Sequence, residues 1–254
     1  MPRSLHLALA AGLLLAAGAF ASHAQSISSS QRGEIEKIIK EYLLANPEVL
    51  QDAMSELEKR QAAAEAAKHQ ATIKDSAEEL FNSKRQVVVG NPQGDVTFVE
   101  FFDYNCGYCK RAMSDMLDLM KDDPKLKVVL KEFPVLGPGS IEAARVAVAV
   151  RMQDKTGKKY LDFHQKLLGG RGQADKARAM AAAKDAGFDM ARLERDMASD
   201  EIQKSLEESF KLAEKLGLNG TPSYVIGENV IVGAVGLPAL KEKINTTRCG
   251  KATC

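Results

Sequence analysis

Residues 101–110, FFDYNCGYCK, place two cysteines three positions apart, after an apolar run and at the start of a predicted helix. The run Val96 to Phe102 is typical of a strand buried on both faces, as in the middle of a mainly parallel sheet. A helix is predicted from about Cys106 to Lys121, and another strand from Leu126 to Val135. This β-α-β order predicts an α/β fold with the cysteine pair at the carboxyl end of the first strand, where open α/β sheets hold their sites.

Elements on both sides of this unit extend the pattern. Val87 to Val89 predicts a short strand before it, and the stretch from Gly137 to about Gly217 is predicted to be helical. Residues 221–236, TPSYVIGENVIVGAVG, indicate two strands joined by a tight turn, and Leu237 to Ile244 indicates a closing helix. The predicted order is therefore β-α-β, a helical block, and β-β-α.

The first residues have the features of an export signal. Residues 1–24 contain Arg3, an apolar stretch from Leu5 to Phe20, and small residues at Ser22 and Ala24. We expect cleavage before Gln25 and a periplasmic or secreted protein, a compartment in which disulfides persist. The sequence shows no later segment long and apolar enough to span a bilayer.

Residues 25–84 are predicted to be an N-terminal helical segment with an apolar stripe, interrupted at Asn46-Pro47. The stripe consists of Ile35, Ile38, Ile39, Tyr42, Leu43, Leu50, Ala53, Met54 and Leu57. Two such helices cannot bury both stripes alone. They either associate with copies of themselves through residues 31–60 or dock on the rest of the chain.

Charge and cysteine content restrict the possible functions. The formal net charge is +1 with acids and bases interspersed, so nucleic acid is not an expected partner. The chain has 254 residues and four cysteines, too few and too clustered for the disulfide scaffold of a small domain. No cofactor and no metal site are expected from the sequence.

Two motifs carry a resemblance to a known family. VEFFDYNCGYCK at 99–110 and GLNGTPSYVIG at 217–227, in this order, resemble the DsbA-type thiol–disulfide oxidoreductases. The resemblance covers about residues 87–246 and implies a thioredoxin fold with an inserted helical domain, here placed at 85–247 with the insertion at about 137–217. Residues 35–61 resemble the leader of the suppressor-of-copper-sensitivity C proteins, a branch in which that leader forms oligomers.

The chemistry of the cysteine pair follows from its place at a helix start. The unpaired N–H groups and the dipole there stabilise a thiolate on Cys106, which would attack a disulfide. Cys109, one turn later, would resolve the mixed disulfide, and Gly107 and Tyr108 would tune the pair and contact substrate. The alternatives are a structural disulfide, which closes a very small loop, and a zinc or copper(I) site with two thiolate ligands.

Glu100 is a carboxylate in a strand too apolar to be an edge, on the same face as Phe98 and Phe102. A buried carboxylate costs free energy unless it is protonated or paired. We expect Glu100 to exchange a proton with Cys109 during resolution, as the resemblance also implies. The alternative is an ion pair with Lys127 or Lys131.

Thr221-Pro222 lies before the late strand pair. By resemblance, Pro222 is a cis-proline opposite the cysteine pair, and Thr221 pairs through its backbone with an extended substrate. The alternative is an ordinary trans turn proline.

A second cysteine pair and a histidine are two further features of the sequence. Cys249 and Cys254, in the tail 248–254, are expected to form a small disulfide, with a redox relay or a copper site as alternatives. His164 is expected to be a packing residue rather than a catalytic base.

The sequence therefore predicts a periplasmic thiol–disulfide oxidoreductase acting on exported proteins that contain cysteines. We favour an oligomeric isomerase or reductase, with a membrane redox partner that resets the Cys106/Cys109 pair. A monomeric dithiol oxidase is one alternative. A copper(I)-binding protein for copper tolerance is another, from a different functional class.

Overall fold

The computed structural model describes residues 28–254, so the predicted export signal and its cleavage site lie outside the described residues. Within these residues the chain divides into two compact units, with the boundary between Glu58 and Lys59. Among the described residues, no helix has the length and apolar character needed to cross a membrane.

The N-terminal helices form where the sequence predicts them. α1 spans Ser29–Ala45 and begins with a capping box, in which Ser28 and Gln31 satisfy each other's backbone N–H groups. α2 spans Glu48–Asp75, and a short α3 spans Ala77–Phe81. The apolar side chains of the first unit are largely exposed in the single chain, with values of 43% for Ile35, 63% for Ile38, 51% for Ile39, 55% for Tyr42, 51% for Leu50, 62% for Met54 and 55% for Leu57.

The second unit is built on a five-stranded sheet in the order β1-β3-β2-β4-β5. The strands are β1 Val87–Gly90, β2 Val96–Phe102, β3 Leu126–Glu132, β4 Ser223–Ile226 and β5 Asn229–Val232. Only β2 and β3 pair in parallel, while the other three neighbouring pairs are antiparallel. The expectation of a mainly parallel sheet is therefore wrong. Helices cover both faces of this mixed sheet, and double burial alone does not report strand direction.

Seven helices surround the sheet within the described residues. They are α4 Gly107–Asp122, α5 Pro138–Gln153, α6 Lys158–Gly169, α7 Lys176–Asp185, α8 Met190–Asp196, α9 Asp200–Lys215 and α10 Leu237–Cys249. The predicted β-α-β unit, helical block and β-β-α order are all present, with α5 to α9 forming the block.

Two apolar clusters lie on the two faces of the sheet. The larger joins Phe98, Phe102, Cys106 and Cys109 to residues of all seven helices from α4 to α10. The smaller joins Val99 and Phe101 to residues of α9, α3 and the end of α2. Alternation along β2 thus directs Glu100, between Phe98 and Phe102, to the face that also holds the cysteines.

Candidate functional site

Cys106 lies at the junction of β2 and α4. It is the N-cap residue of α4, and its Sγ accepts a hydrogen bond from the Cys109 N–H at 3.4 Å. The same sulfur donates to the Thr221 carbonyl oxygen at 3.1 Å. Cys106 and Cys109 are not joined by a disulfide in this structure. The Cys106 sulfur lies beside the unpaired N–H groups at the start of the helix.

Cys109 lies deeper than Cys106, at 0% exposure against 6%. Burial, followed by the charge of Glu100, raises the pKa of the Cys109 thiol far above its usual value. A thiol held in this way is a poor nucleophile until a neighbouring base removes its proton.

Glu100 lies close enough to Cys109 for its charge to act on the Cys109 thiol. Its side chain is buried, and burial together with the charge of Asp115 raises the pKa of Glu100 to about 8. Tyr224 lies directly opposite Glu100 in the β2–β4 ladder, and burial and the Glu100 charge raise the pKa of its hydroxyl as well. A carboxyl group with a pKa near neutrality can both accept and return a proton.

The alternative of a lysine ion pair for Glu100 does not hold in the structure. In the parallel ladder Lys127 lies opposite Thr97 and Lys131 opposite Phe101, so both lysines project from the other face of the sheet. Lys127 donates to the carbonyl of Phe81, and Lys131 donates to the carbonyl of Glu79 and to the carboxylate of Glu208.

The loop before β4 lies opposite the cysteines. The Thr221–Pro222 peptide bond is cis, and the Pro222 carbonyl accepts from the Gly233 N–H at 2.8 Å. The Thr221 carbonyl is the partner of Cys106. Within residues 28–254 no backbone hydrogen bond uses the Thr221 N–H.

The two residues between the cysteines face solvent. A Cβ added at Gly107 would meet no atom within 4 Å, so space beside Cys106 is open. Tyr108 is 58% exposed, and the Arg111 guanidinium lies 4.5 Å from the centre of its ring. An exposed aromatic ring and an open approach suit contact with a peptide.

The sequence interpretation missed the turn that precedes Cys106. The Asp103 carboxylate accepts from the backbone N–H groups of Asn105, Val135 and Leu136, at 2.7, 2.8 and 2.9 Å. The Asp103 carbonyl accepts from the Cys106 N–H at 3.0 Å. Asp and Asn before a helix start are a turn signal, but nothing in the sequence shows which distant groups they bind.

His164 is a packing residue, as predicted. It is 2% exposed, its Nδ1 lies 3.3 Å from the Tyr104 hydroxyl, and its ring packs edge-on against Phe102. Tyr104 in turn bonds Tyr160, whose hydroxyl donates to Glu132 at 2.7 Å. Burial lowers the pKa of His164 to about 3, far from the value that a general base needs at neutral pH.

The tail cysteines lie at the other end of α4. Cys249 and Cys254 form a disulfide, and neighbouring Arg248 binds Asp123, the residue that ends α4, at 2.7 Å. Cys106 caps the start of this helix of 16 residues, which is about 24 Å long. A relay between the two pairs of one chain therefore has no support. Among residues 28–254, no group of three or more His, Cys, Asp or Glu side chains could hold a metal ion.

Two protein families match the sequence. Residues 97–245 match the DSBA-like thioredoxin domain. Residues 31–64 match the Copper resistance protein ScsC N-terminal domain. The first match covers more than half of the chain, and the second covers the exposed apolar stripe of α1 and α2.

Solved structures and curated proteins give the same picture. A thioredoxin-like oxidoreductase from Silicibacter pomeroyi DSS-3 is 43% identical, over 67% of this chain and 96% of that chain, with a TM-score of 0.64. Proteus mirabilis ScsC in a transitional conformation is 26% identical, over 89% of this chain and 98% of that chain, with a TM-score of 0.64. Disulfide bond formation protein D of Bacillus subtilis (strain 168) is 28% identical, over 66% of this chain and 79% of that protein. The predicted thioredoxin fold with a helical insertion is thereby confirmed.

One similarity concerns only part of a longer protein. The Na(+)/H(+) antiporter NhaA 1 of Salinispora arenicola (strain CNS-205) is 24% identical over 65% of this chain. The chain spans 25% of the length of that antiporter.

Proposed function

The chain belongs to the DSBA-like thioredoxin domain family of thiol–disulfide oxidoreductases, and on this premise we propose that it acts on exported proteins as an oligomeric disulfide isomerase or reductase. The observation that carries the proposal is the exposed apolar stripe of the N-terminal helices, in a chain whose Cys106 caps the start of α4. The predicted export signal supports a periplasmic location.

The reaction begins with Cys106. Its thiolate attacks one sulfur of a substrate disulfide, forming a mixed disulfide and releasing the other substrate sulfur as a thiolate, which takes up a proton. In isomerisation a different substrate thiolate then attacks the mixed disulfide, and Cys106 leaves unchanged with no net electron transfer. In reduction Cys109 attacks Cys106 Sγ instead, so that two electrons pass to the substrate and the pair becomes a disulfide.

Glu100 controls the rate of the reduction route, in which Cys109 attacks Cys106 Sγ. Cys109 must lose its proton before it can attack, and the carboxylate of Glu100 takes that proton. Because the pKa of Glu100 is raised to about 8, its carboxyl group can gain or lose a proton near neutral pH. Because the pKa of Cys109 is raised as well, its thiol needs a base to remove the proton. A membrane redox partner of the oxidised pair would restore the dithiol.

Substrate contact is supported by groups on both sides of Cys106. Thr221 offers its N–H for pairing with an extended chain, a mode that reads backbone rather than sequence. The exposed apolar side chains near the site are Tyr108, Val135, Leu136, Val232 and Val235. Their combination fits unfolded segments around a cysteine better than a single folded partner.

Association of copies through residues 31–60 would favour an isomerase, the function proposed above. Ile35, Ile38, Ile39 and Tyr42 follow the spacing i, i+3, i+4, i+7 and are all exposed in the single chain. A stripe of this kind is stabilised by a second copy of itself, which brings several Cys106 thiols around a shared substrate.

The test combines assembly with activity. Ile38→Glu with Tyr42→Glu should dissociate the oligomer in light scattering and abolish recovery of a substrate with scrambled disulfides, while Cys106 alkylation stays at the native rate. Lys40→Glu, on another side of α1, is the matched control and should behave as native. A native chain that is monomeric, or a dissociated variant with full isomerase activity, contradicts the oligomeric isomerase; rapid oxidation of a reduced substrate would then favour the monomeric dithiol oxidase.

Copper(I) binding by Cys106 and Cys109 is the second candidate function, because residues 31–64 match the Copper resistance protein ScsC N-terminal domain. Soft thiolates suit copper(I), and two copies could supply four of them. Tight stoichiometric binding of copper(I) to reduced protein, without any exchange activity, would favour this function over the enzyme.

A further inference from the structure

Asn105, directly before Cys106, binds the helical block through its whole side chain. Its Nδ2 donates to Ser140 Oγ at 2.9 Å and to the Ala174 carbonyl at 2.9 Å. Its Oδ1 accepts from the Ala174 N–H at 2.7 Å. The amide therefore pairs with both backbone groups of Ala174, a residue that is 1% exposed. Aspartate cannot reproduce this pattern because it lacks the donor group.

The loop that Asn105 binds is fastened a second time, on the other side of the cysteine pair. Lys110 Nζ donates to the Gly170 carbonyl at 2.6 Å. At Gly139 an added Cβ would lie 2.9 Å from the Ala174 carbonyl, so the helical block approaches this loop closely. Residues 170–174 are thus held by the residues that immediately precede and follow the Cys106–Cys109 segment.

The backbone of Asn105 is fixed as well. Its N–H donates to the Asp103 carboxylate, whose second oxygen binds the backbone of Val135 and Leu136 after β3. The turn before Cys106 is consequently tied to the sheet by Asp103 and to the helical block by Asn105. Cys106 is the next residue, and the position of its sulfur depends on that turn.

We propose that Asn105 is a positioning residue for disulfide exchange, through which the helical block holds Cys106 Sγ at the start of α4. The hydrogen bonds to Ser140 and Ala174 keep the turn in the conformation that leaves Cys106 Sγ within reach of the Cys109 N–H and the Thr221 carbonyl. Without them the turn can rotate, and Cys106 Sγ loses its alignment with the Cys109 N–H and with a substrate disulfide. The inference depends on exchange by Cys106 and not on its direction.

The test uses Asn105→Ala and Ser140→Ala in the full chain. Asn105→Ala removes all three hydrogen bonds, and we expect the alkylation rate of Cys106 to fall about tenfold throughout its pH profile. The kcat for disulfide reduction should fall in parallel while KM changes less than about twofold. Ser140→Ala removes one bond and alters no neighbour of Cys106, so a smaller change in the same direction is expected.

Asn91→Ala is the matched control. The Asn91 side chain also ties a turn, donating to the Pro124 carbonyl and accepting from the Gln93 N–H, but at the other end of β2. It should lower the melting temperature without moving the alkylation profile. A native profile in Asn105→Ala, or equal lowering in Asn91→Ala, would overturn the inference. If Asn105→Ala does not fold, a native profile in Ser140→Ala overturns it and a lowered one supports it. Alkylation needs no protein substrate, so these outcomes do not depend on the isomerase proposal.

Discussion

Replacement of Glu100 by glutamine should stabilise the fold while slowing the resolution of mixed disulfides. The pKa of Glu100 is raised from 4.5 to about 8, so the folded state holds a proton that the unfolded chain releases between these values. Stability contributed by the protonated group is complete below pH 4.5 and is lost as pH rises toward 8. At about 1.4 kcal/mol for each pH unit, the loss at pH 7 is at most about 3 kcal/mol. Glutamine is neutral at every pH, so the variant should not lose this stability as pH rises.

The effect of Glu100→Gln on the rate of resolution should be opposite to its effect on stability: the variant should be more stable but slower. Because the charge of Glu100 raises the pKa of Cys109, removing that charge would by itself make Cys109 easier to ionise and speed resolution. If Glu100 is the base, its loss should instead slow resolution by a factor of about one hundred or more. Alkylation of Cys106, which needs no proton from Cys109, should stay within about twofold of native.

Two measurements check this prediction. Urea unfolding of native and Glu100→Gln protein at about pH 5, 7 and 9 should show the stabilities diverging as pH rises. Rapid mixing with a preformed mixed disulfide should show slow release only in the variant. Faster resolution in Glu100→Gln, or equal slowing of resolution and of Cys106 alkylation, would refute the role of Glu100 as base.

The other predictions concern the exposed Tyr108, the Cys249–Cys254 disulfide and the buried His164. Tyr108→Ala should raise KM for a peptide disulfide several-fold with an unchanged melting temperature, because the ring is exposed and makes no core contact; an unchanged KM in steady-state assays would count against substrate contact. Cys249→Ser with Cys254→Ser should leave exchange rates native and cost at most about 2 kcal/mol of unfolding free energy, since the closed loop is small; slowed exchange would reopen a redox role for the tail. His164→Phe should make stability less sensitive to acid. Because the pKa of His164 is lowered, the stability contributed by its neutral ring is complete above pH 6.5 and falls by about 3 kcal/mol toward pH 4.5. Parallel acid unfolding curves of the native protein and the variant would contradict this.

Local patterns predicted most of the fold. The alternation of β2 placed Glu100 on the same face as the cysteines, and Asn46-Pro47 marked the break between α1 and α2. Strand direction was not predicted well, because an apolar run is equally suited to a central strand of a parallel or a mixed sheet. The register of β2 against β3, which removes Lys127 and Lys131 from Glu100, depends on pairing that a single sequence does not reveal.

Some residues of the candidate site could also be predicted from local motifs, and others could not. Cys106, Cys109 and the Thr221-Pro222 pair are close in sequence to recognisable elements, and each could be named from its motif. Tyr224 and Asn105 could not, since their importance comes from partners far along the chain, Glu100 for the first and Ala174 for the second. Polar residues in turns have many possible partners, and only the folded chain selects among them.

Attack of Cys106 on a substrate disulfide leaves a covalent intermediate, which can be trapped when the second cysteine is removed. Cys109→Ser protein, which cannot resolve, is mixed with a substrate carrying scrambled disulfides, quenched with acid and analysed by mass spectrometry after proteolysis. We expect a mixed disulfide between substrate and Cys106. No adduct, or an adduct only through Cys249 or Cys254, would contradict it.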